Sequence, residues 1–227
     1  GVSTVVMGSC GVGFAPVRRG DRERLVRLME GVEDIPGIAL TEGMTWDWES
    51  LPEYMDAIDA RPHSIDFAVQ VTHDPLRVYV MGERAVHNRH ATADDIVAMR
   101  RLTREALEAG AIGFSTGRSD IHRSADGDWT PSSEATVEEL SGIAAAFQGL
   151  SHGVLQAVND FDLEREGDAF DREFDILERF ARGAGGRPFS LSLMQRDFAP
   201  EQWLRIIARA ERARAQGLDI RLQTAPR

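Results

Sequence analysis

The chain has 227 residues, of which 42% are hydrophobic and 28% charged, with a net charge of -11 and a single cysteine. This length suits one domain or two, and one cysteine cannot form an internal disulfide, which favours a reducing compartment such as the cytoplasm. The excess of acidic over basic side chains argues against a nucleic-acid partner. No apolar run reaches the ~20 residues that a helix needs to cross a membrane.

Short β-rich segments alternate with longer amphipathic segments along the chain. This alternation predicts parallel βαβ units in one α/β domain, because a parallel neighbour needs a crossover that can hold a helix. Irregular insertions are predicted at residues 35–48 and 118–133. Strands are predicted at residues 3–7, 64–71, 111–115, 154–158, 189–194 and 219–223, and helices at 21–29, 93–109, 170–182 and 199–216.

Two helix starts carry a capping-box pattern, Thr92 with Asp95 and Thr136 with Glu139. In such a box the hydroxyl and the carboxylate both satisfy free N–H groups of the first turn. The pattern therefore predicts that helices begin at these threonines and that the two carboxylates serve the helix ends.

The predicted units fit an open doubly wound sheet or part of a (β/α)8 barrel, and in both folds chemistry gathers at the carboxyl ends of the strands. Cys10 follows the first strand between glycines, so it is a candidate metal ligand, although a lone cysteine is more often a small buried hydrophobe. His73 follows the second strand and is a candidate for metal or substrate binding, or for a hydrogen bond within its loop. The solvent-facing histidines are predicted to be His63, His87 and His90.

The third strand leads into Gly113-Phe114-Ser115-Thr116-Gly117, which matches the nucleophile pattern of serine esterases. That pattern needs a tight turn and an immediate helix, whereas a polar loop follows here. The loop, with His122, Arg123 and Trp129, is predicted to be a substrate-binding lid or an ordinary salt-bridged surface loop. Further polar groups predicted to orient a substrate in or after the fourth and fifth strands are Gln156, Asn159, Asp160, Gln195, Arg196 and Asp197.

Four blocks of this sequence resemble the N-acyl-D-amino-acid deacylases, or D-aminoacylases, of the amidohydrolase superfamily. The most specific block is residues 1–16, with Gly8-Ser9-Cys10-Gly11 at its centre, and the others are residues 46–54, 73–82 and 110–116. The resemblance covers essentially the whole chain. It implies a (β/α)8 TIM barrel of amidohydrolase type, of which residues 1–227 form an internal part, about strands two to seven, without a second domain.

The resemblance also implies a metal-dependent bacterial hydrolase that cleaves the amide bond of small N-acyl-D-amino acids by activating water. Cys10 would bind zinc, whereas the His-x-His pair and the catalytic Asp of the family lie outside this chain. Gln156 and Leu193 stand at two further histidine positions of the family, so one zinc ion is expected in preference to two. The candidates for substrate binding are His73, Ser115, His122, Arg123, Gln156 and Gln195.

Two other functions stay open from the sequence. A barrel that has lost metal histidines would be catalytically degenerate and would only bind its ligand, and the serine-esterase motif is the less favoured alternative. An oligomer is compatible with the sequence. Six of eight barrel strands would leave two exposed sheet edges, so we expect the isolated chain to be inert and poorly folded.

Overall fold

Six parallel strands form one sheet in the part of the chain that the computed structural model describes, namely residues 1–119, 121–161, 169–197 and 199–224. The prediction of parallel βαβ units is confirmed. The strand order follows the chain without reversal, as in a (β/α) barrel and unlike a doubly wound sheet. The strands are β1 (Thr4–Met7), β2 (Asp66–Thr72), β3 (Gly113–Arg118), β4 (Val154–Asn159), β5 (Phe189–Ser192) and β6 (Ile220–Gln223).

The crossovers between these strands are helical. The α-helices of the described residues are α1 (Arg22–Glu33), α2 (Gly37–Gly43), α3 (Leu51–Asp59), α4 (His73–Met81), α5 (Glu83–Val86), α6 (Ala93–Glu108), α7 (Val137–Ala144), α8 (Ala169–Gly183) and α9 (Gln202–Ala215). Helix α2 corrects the prediction that residues 35–48 are irregular. It is short, has no side-chain cap and buries none of its residues, so it lacks the amphipathic pattern by which a helix is recognised.

The hydrophobic core lies between the sheet and the helices. Alternate strand residues such as Val71, Phe114 and Leu155 point into it and are almost completely buried. Helix α8 contributes Phe174 and Phe180 to the same core. The intervening strand residues lie on the other side of the sheet, which we call the inner face, and many of them are polar.

None of the described helices combines the length and the apolar character that crossing a bilayer requires.

Candidate functional site

Segment 8–13, which follows β1, crosses the inner face at the carboxyl ends of the strands, which we call the rim. Gly8 and Gly11 have φ angles of 86° and 83°, and Cys10 between them has a φ of 62°. A Cβ atom on Gly11 would lie 2.8 Å from the backbone nitrogen of Gly117 in β3. Glycine is required there by both the left-handed backbone and the close approach. The glycines at positions 8 and 11 therefore allow this segment to pack closely against the sheet.

A chain of side-chain hydrogen bonds joins segment 8–13 to the strands. The Gln70 amide on β2 donates to the Gln156 carbonyl oxygen on β4 over 2.7 Å, and the Gln156 amide donates to the Ser9 hydroxyl over 2.6 Å. Both glutamines are at most 9% exposed. Gln156 thus lies on the inner face, where a substrate-binding residue was predicted, but its amide group also holds Ser9 in place.

Ser115 lies inside β3 and is fully buried. Its hydroxyl donates to the carbonyl oxygen of Gly8 and accepts a hydrogen bond from the Gly11 N–H over 3.2 Å. A serine nucleophile is presented on a strained turn between strand and helix, whereas here the strand continues to Arg118. The structure therefore contradicts the serine-esterase alternative, and Ser115 fastens segment 8–13 instead of facing a substrate.

Cys10 lies half-buried in the turn and packs against the hydrophobic core. Burial is the main cause that raises the pKa of its thiol; a hydrogen bond with Ser9 lowers it, and the charges of Glu33 and Asp74 raise it further. At neutral pH the group is a protonated thiol, and only a cation beside it would favour the thiolate that binds metals.

The surroundings of Cys10 do not form a complete metal site. No group of three or more His, Cys, Asp and Glu side chains is placed to hold a metal ion, as far as the described ranges extend. The hydrogen-bonded groups beside Cys10 are the Ser9 hydroxyl and the Gln156 amide, which are poor zinc ligands. This part of the protein therefore offers a metal ion one sulfur ligand.

The loop after β3 brings His122 to the rim beside segment 8–13. Its Nδ1 atom lies 3.8 Å from the position that a Cβ atom on Gly117 would take, and the Cys10 carbonyl oxygen lies closer to the same position. Burial, and after it the positive charge of Arg196, lowers the pKa of the half-buried imidazole. His122 is therefore neutral at neutral pH and can both donate and accept hydrogen bonds at the rim.

The remainder of this loop is fastened to helix α1. The Arg123 guanidinium stacks on the Trp129 ring, 3.4 Å from its centroid, and the two residues form an antiparallel bridge. The Ala125 N–H donates to the Arg27 carbonyl oxygen over 2.9 Å, and the Arg27 side chain pairs with Asp126. Of the two predicted forms of the loop, these contacts fit the salt-bridged surface loop.

His73 lies on the helix side of the sheet, which corrects its predicted place at the rim. Helix α4 begins at His73 directly after β2 ends at Thr72, so the imidazole is carried behind β3 and is fully buried. Its Nδ1 lies 2.8 Å from the Thr116 hydroxyl, and its Nε2 lies 2.9 Å from a Glu139 carboxylate oxygen. Both ring nitrogens are occupied, so neither remains for a metal ion or a substrate.

Glu139, the partner of His73, corrects half of a predicted capping box. Thr136 accepts a hydrogen bond from the Glu139 N–H, as predicted, but the Glu139 carboxylate turns inward. It pairs with His73 and, over 3.0 Å, with Arg77. Burial alone would raise the pKa of Glu139, but His73 and Arg77 together lower it. The sequence signal for this cluster was the group of charged residues in the otherwise mainly apolar helix α4.

The rim beyond β4 and β5 carries a second charged group. The Ser119 hydroxyl donates to Asp160, and Asp160 pairs with Arg196. The Asp160 side chain is fully buried and the Arg196 side chain is 14% exposed. Gln195, a predicted substrate-binding residue, is exposed next to Arg196. His122, Asp160 and Arg196 are thus the predicted polar residues that the structure gathers at this part of the rim.

Comparison of the sequence with known proteins finds three named deacylases among its relatives. No family model matches the chain. D-aminoacylase from Alcaligenes xylosoxydans xylosoxydans is 32% identical over 159 residues, which are 70% of this chain and 28% of that protein. N-acyl-D-glutamate deacylase from the same organism is 29% identical over 231 residues, which cover 100% of this chain and 41% of that protein. The chain thus spans less than half the length of either relative.

Solved structures agree with these relatives. The crystal structure of D-aminoacylase that defines a novel subset of amidohydrolases has a TM-score of 0.72 at 27% identity, over 100% of this chain and 42% of that one. A second structure, on the functional role of the binuclear metal centre in D-aminoacylase, matches equally. N-acyl-D-glutamate deacylase from Bordetella bronchiseptica, complexed with zinc and a phosphonate mimic of the tetrahedral intermediate, has a TM-score of 0.68 at 26% identity. The sheet therefore matches a curled half-barrel within these structures.

Proposed function

The chain is homologous to part of the D-aminoacylase amidohydrolases, and from this premise we propose that the protein hydrolyses the amide bond of N-acyl-D-amino acids. The observation that carries the proposal is agreement along the entire chain, at 29% identity with N-acyl-D-glutamate deacylase and at a TM-score of 0.72 with D-aminoacylase. We further propose that the six strands are strands two to seven of a (β/α)8 barrel, in a cytoplasmic enzyme.

The inner face has the character that such a substrate needs. A cavity of about 250 Å³ opens on it, lined by five polar residues and by three apolar ones, namely Ser9, Gln70, Gln156, Ser190 and Gln223, and Val6, Ile112 and Val154. Amide and hydroxyl groups can exchange hydrogen bonds with the acyl amide of a substrate, and in parallel barrels the substrate binds at the carboxyl ends of the strands. We propose that the N-acyl amino acid enters over the rim, between Ser9 and His122.

Cys10 is the residue of this chain that we propose as a ligand of one zinc ion. Its place at the rim and the zinc in the related deacylase complex support the assignment. Zinc in such a site would supply a more acidic bound water and a polarised substrate carbonyl. The other ligands would come from outside the described residues, because these contain no group of three candidate side chains.

The test compares the full-length protein with its Cys10→Ser and Ser9→Ala variants. We expect the wild type to contain zinc and to release acetate from N-acetyl-D-amino acids, and Cys10→Ser to lose both because the sulfur ligand is gone. Ser9→Ala is the matched control: it breaks the hydrogen bond to Gln156 in the same turn and should keep its zinc. Zinc retained by Cys10→Ser would overturn the role of Cys10, and a wild type that releases no acetate would overturn the enzyme.

A binding protein without catalysis is a second candidate that one observation favours. The side chains of Gln70, Gln156 and Ser9 place neutral, mutually hydrogen-bonded groups on the inner face. The described residues contain no group of three or more candidate metal ligands there. This candidate predicts a full-length wild type that binds an N-acetyl-D-amino acid, contains no zinc and releases no acetate. Zinc-dependent acetate release would exclude it.

A further inference from the structure

The rim contains a half-buried arginine, Arg196, whose hydrogen-bond donors are not all used. Arg118, at the end of β3, is more deeply buried, but its Nε and NH2 bind Glu173 and its NH1 donates to the Ala135 carbonyl oxygen. Arg196, after β5, makes one ion pair, from NH2 to Asp160. Within the described ranges, its Nε and NH1 have no hydrogen-bond partner. Arg196 therefore has donors available for a ligand.

Asp160 fixes the position of this guanidinium. Its side chain is fully buried between the loops after β3 and β5, where it accepts a hydrogen bond from the Ser119 hydroxyl. Its backbone N–H donates to the Arg118 carbonyl oxygen over 3.0 Å. A guanidinium held at one nitrogen by a fixed carboxylate keeps its planar fork in one orientation, and such a fork matches the two oxygens of a carboxylate ligand.

The electrostatics of the rim favour an anion at these donors. Burial lowers the pKa of Arg196, so an added negative charge beside it would be stabilising. His122 lies close enough for Arg196 to lower the pKa of its imidazole, and it is neutral at neutral pH. The inner-face residues Gln70, Gln156 and Ser9 are also uncharged. The net charge of -11 disfavours the approach of an anion, so an anionic substrate is best bound beside a local cation.

We propose that Arg196, oriented by Asp160, binds the carboxylate group of the N-acyl amino acid substrate. The proposal rests on the function proposed above, because an N-acyl amino acid has its charge on that carboxylate and has a neutral amide in the middle. Arg123 lies on the part of the loop that is attached to helix α1, where it stacks on Trp129, and Gln195 has no charge. The carboxylate at Arg196 would direct the neutral acyl amide toward the inner face.

The experiment uses N-acetyl-D-alanine and its uncharged analogue N-acetyl-D-alaninamide with the full-length protein. Acetate release and calorimetric binding are measured for the wild type and for Arg196→Gln and Arg196→Lys. The matched control is Arg100→Gln, which changes an exposed arginine on helix α6. We expect Arg196→Gln to raise KM and Kd for N-acetyl-D-alanine by about 10- to 100-fold, as for loss of a charged hydrogen bond, and to leave those for the amide unchanged.

The remaining variants, with binding and acetate release measured separately, distinguish a failure of the Arg196 proposal from a failure of the proposed deacylase function. Arg196→Lys should retain part of the preference for the carboxylate, and Arg100→Gln should behave like the wild type. Equal effects of Arg196→Gln on both compounds, or an unchanged preference, would overturn the proposal. A wild type that releases no acetate contradicts the proposed function alone, because binding still decides the role of Arg196: carboxylate-dependent binding lost in Arg196→Gln supports it, and binding that is absent or unchanged overturns it.

Discussion

Asp74 is a fully buried carboxyl group behind the sheet, and burial raises its pKa from 3.8 to about 7. The Ser132 hydrogen bonds and the charge of Arg77 oppose this shift but do not cancel it. Its second oxygen has no hydrogen-bond partner among the described residues. Because the folded state holds the proton and the unfolded state releases it near pH 3.8, the free energy of unfolding decreases as the pH rises toward 7.

The Asp74→Asn variant tests this effect, since asparagine keeps an acceptor for the Ser132 N–H but does not titrate. Urea unfolding at pH 5 and pH 8 should show that the wild type loses more stability between the two values than Asp74→Asn does. Asp59→Asn, an exposed change on helix α3, should retain the pH dependence of the wild type. Equal losses for the wild type and Asp74→Asn would contradict the raised pKa.

Cys10 and His73 differ in how far the sequence predicted their surroundings. Cys10 was predicted to follow the first strand between glycines, and the structure places it there in a sharp turn, because the requirement of that turn for glycine is local. The burial of His73 was missed because its partner Glu139 lies 66 residues further along the chain. A capping pattern with Thr136 also offered a local explanation for that carboxylate. A buried ion pair depends on tertiary packing, which a sequence pattern does not specify.

Segment 8–13 is the element on which the proposed site depends. It places Cys10 beside β3 and Ser9 beside Gln156, and the Ser115 hydroxyl forms hydrogen bonds with its backbone. The segment can take this position only because Gly11 has no side chain that would collide with the backbone of Thr116 and Gly117. Loss of that contact would displace Cys10 and Ser9 together.

Gly11→Ala should disrupt the packing of segment 8–13 against β3, and Gly127→Ala is its matched control. Both glycines have left-handed φ angles, 83° and 85°, but a Cβ atom on Gly127 would meet nothing within 4 Å. Backbone strain alone costs about 1–2 kcal/mol, so Gly127→Ala should lose about that much stability. Gly11→Ala adds overlap with β3 and should lose about 2–5 kcal/mol together with its zinc. Equal losses of stability in chemical denaturation would show that the contact does not matter.

The strands were easier to predict than the helices. Short runs bounded by glycine and polar residues predicted all six observed strands, because each run is too short for a helix. Helix α4 was missed because it follows β2 without a turn, so the run from Asp66 to Met81 has no boundary signal. The curvature of the sheet is a property of strand pairing, and the resemblance predicted it where local patterns did not.

The whole sheet has two edges in the described residues, β1 and β6. The β1 edge carries Val2, Val5 and Val6, with relative exposures of 74%, 36% and 53%. An exposed apolar edge strand is a template for pairing with another chain. The isolated chain 1–227 is therefore expected to aggregate through β1.

Val6→Lys should reduce this aggregation, because a charge on an edge strand opposes pairing. Val97→Lys is the matched control, since Val97 is 52% exposed on helix α6, away from the edge. Light scattering of the isolated chain should be lower for Val6→Lys and unchanged for Val97→Lys. A monomeric wild-type chain, or equal improvement by both variants, would contradict the assignment of the β1 edge.

The proposed deacylase activity is tested most directly by the rate at which the full-length protein releases acetate from paired N-acetyl-D- and N-acetyl-L-amino acids. We expect a kcat/KM for the D compounds that exceeds that for the L compounds by at least about tenfold, or ~1.4 kcal/mol in transition-state stabilisation. Absence of hydrolysis, or a preference for the L compounds, would contradict it.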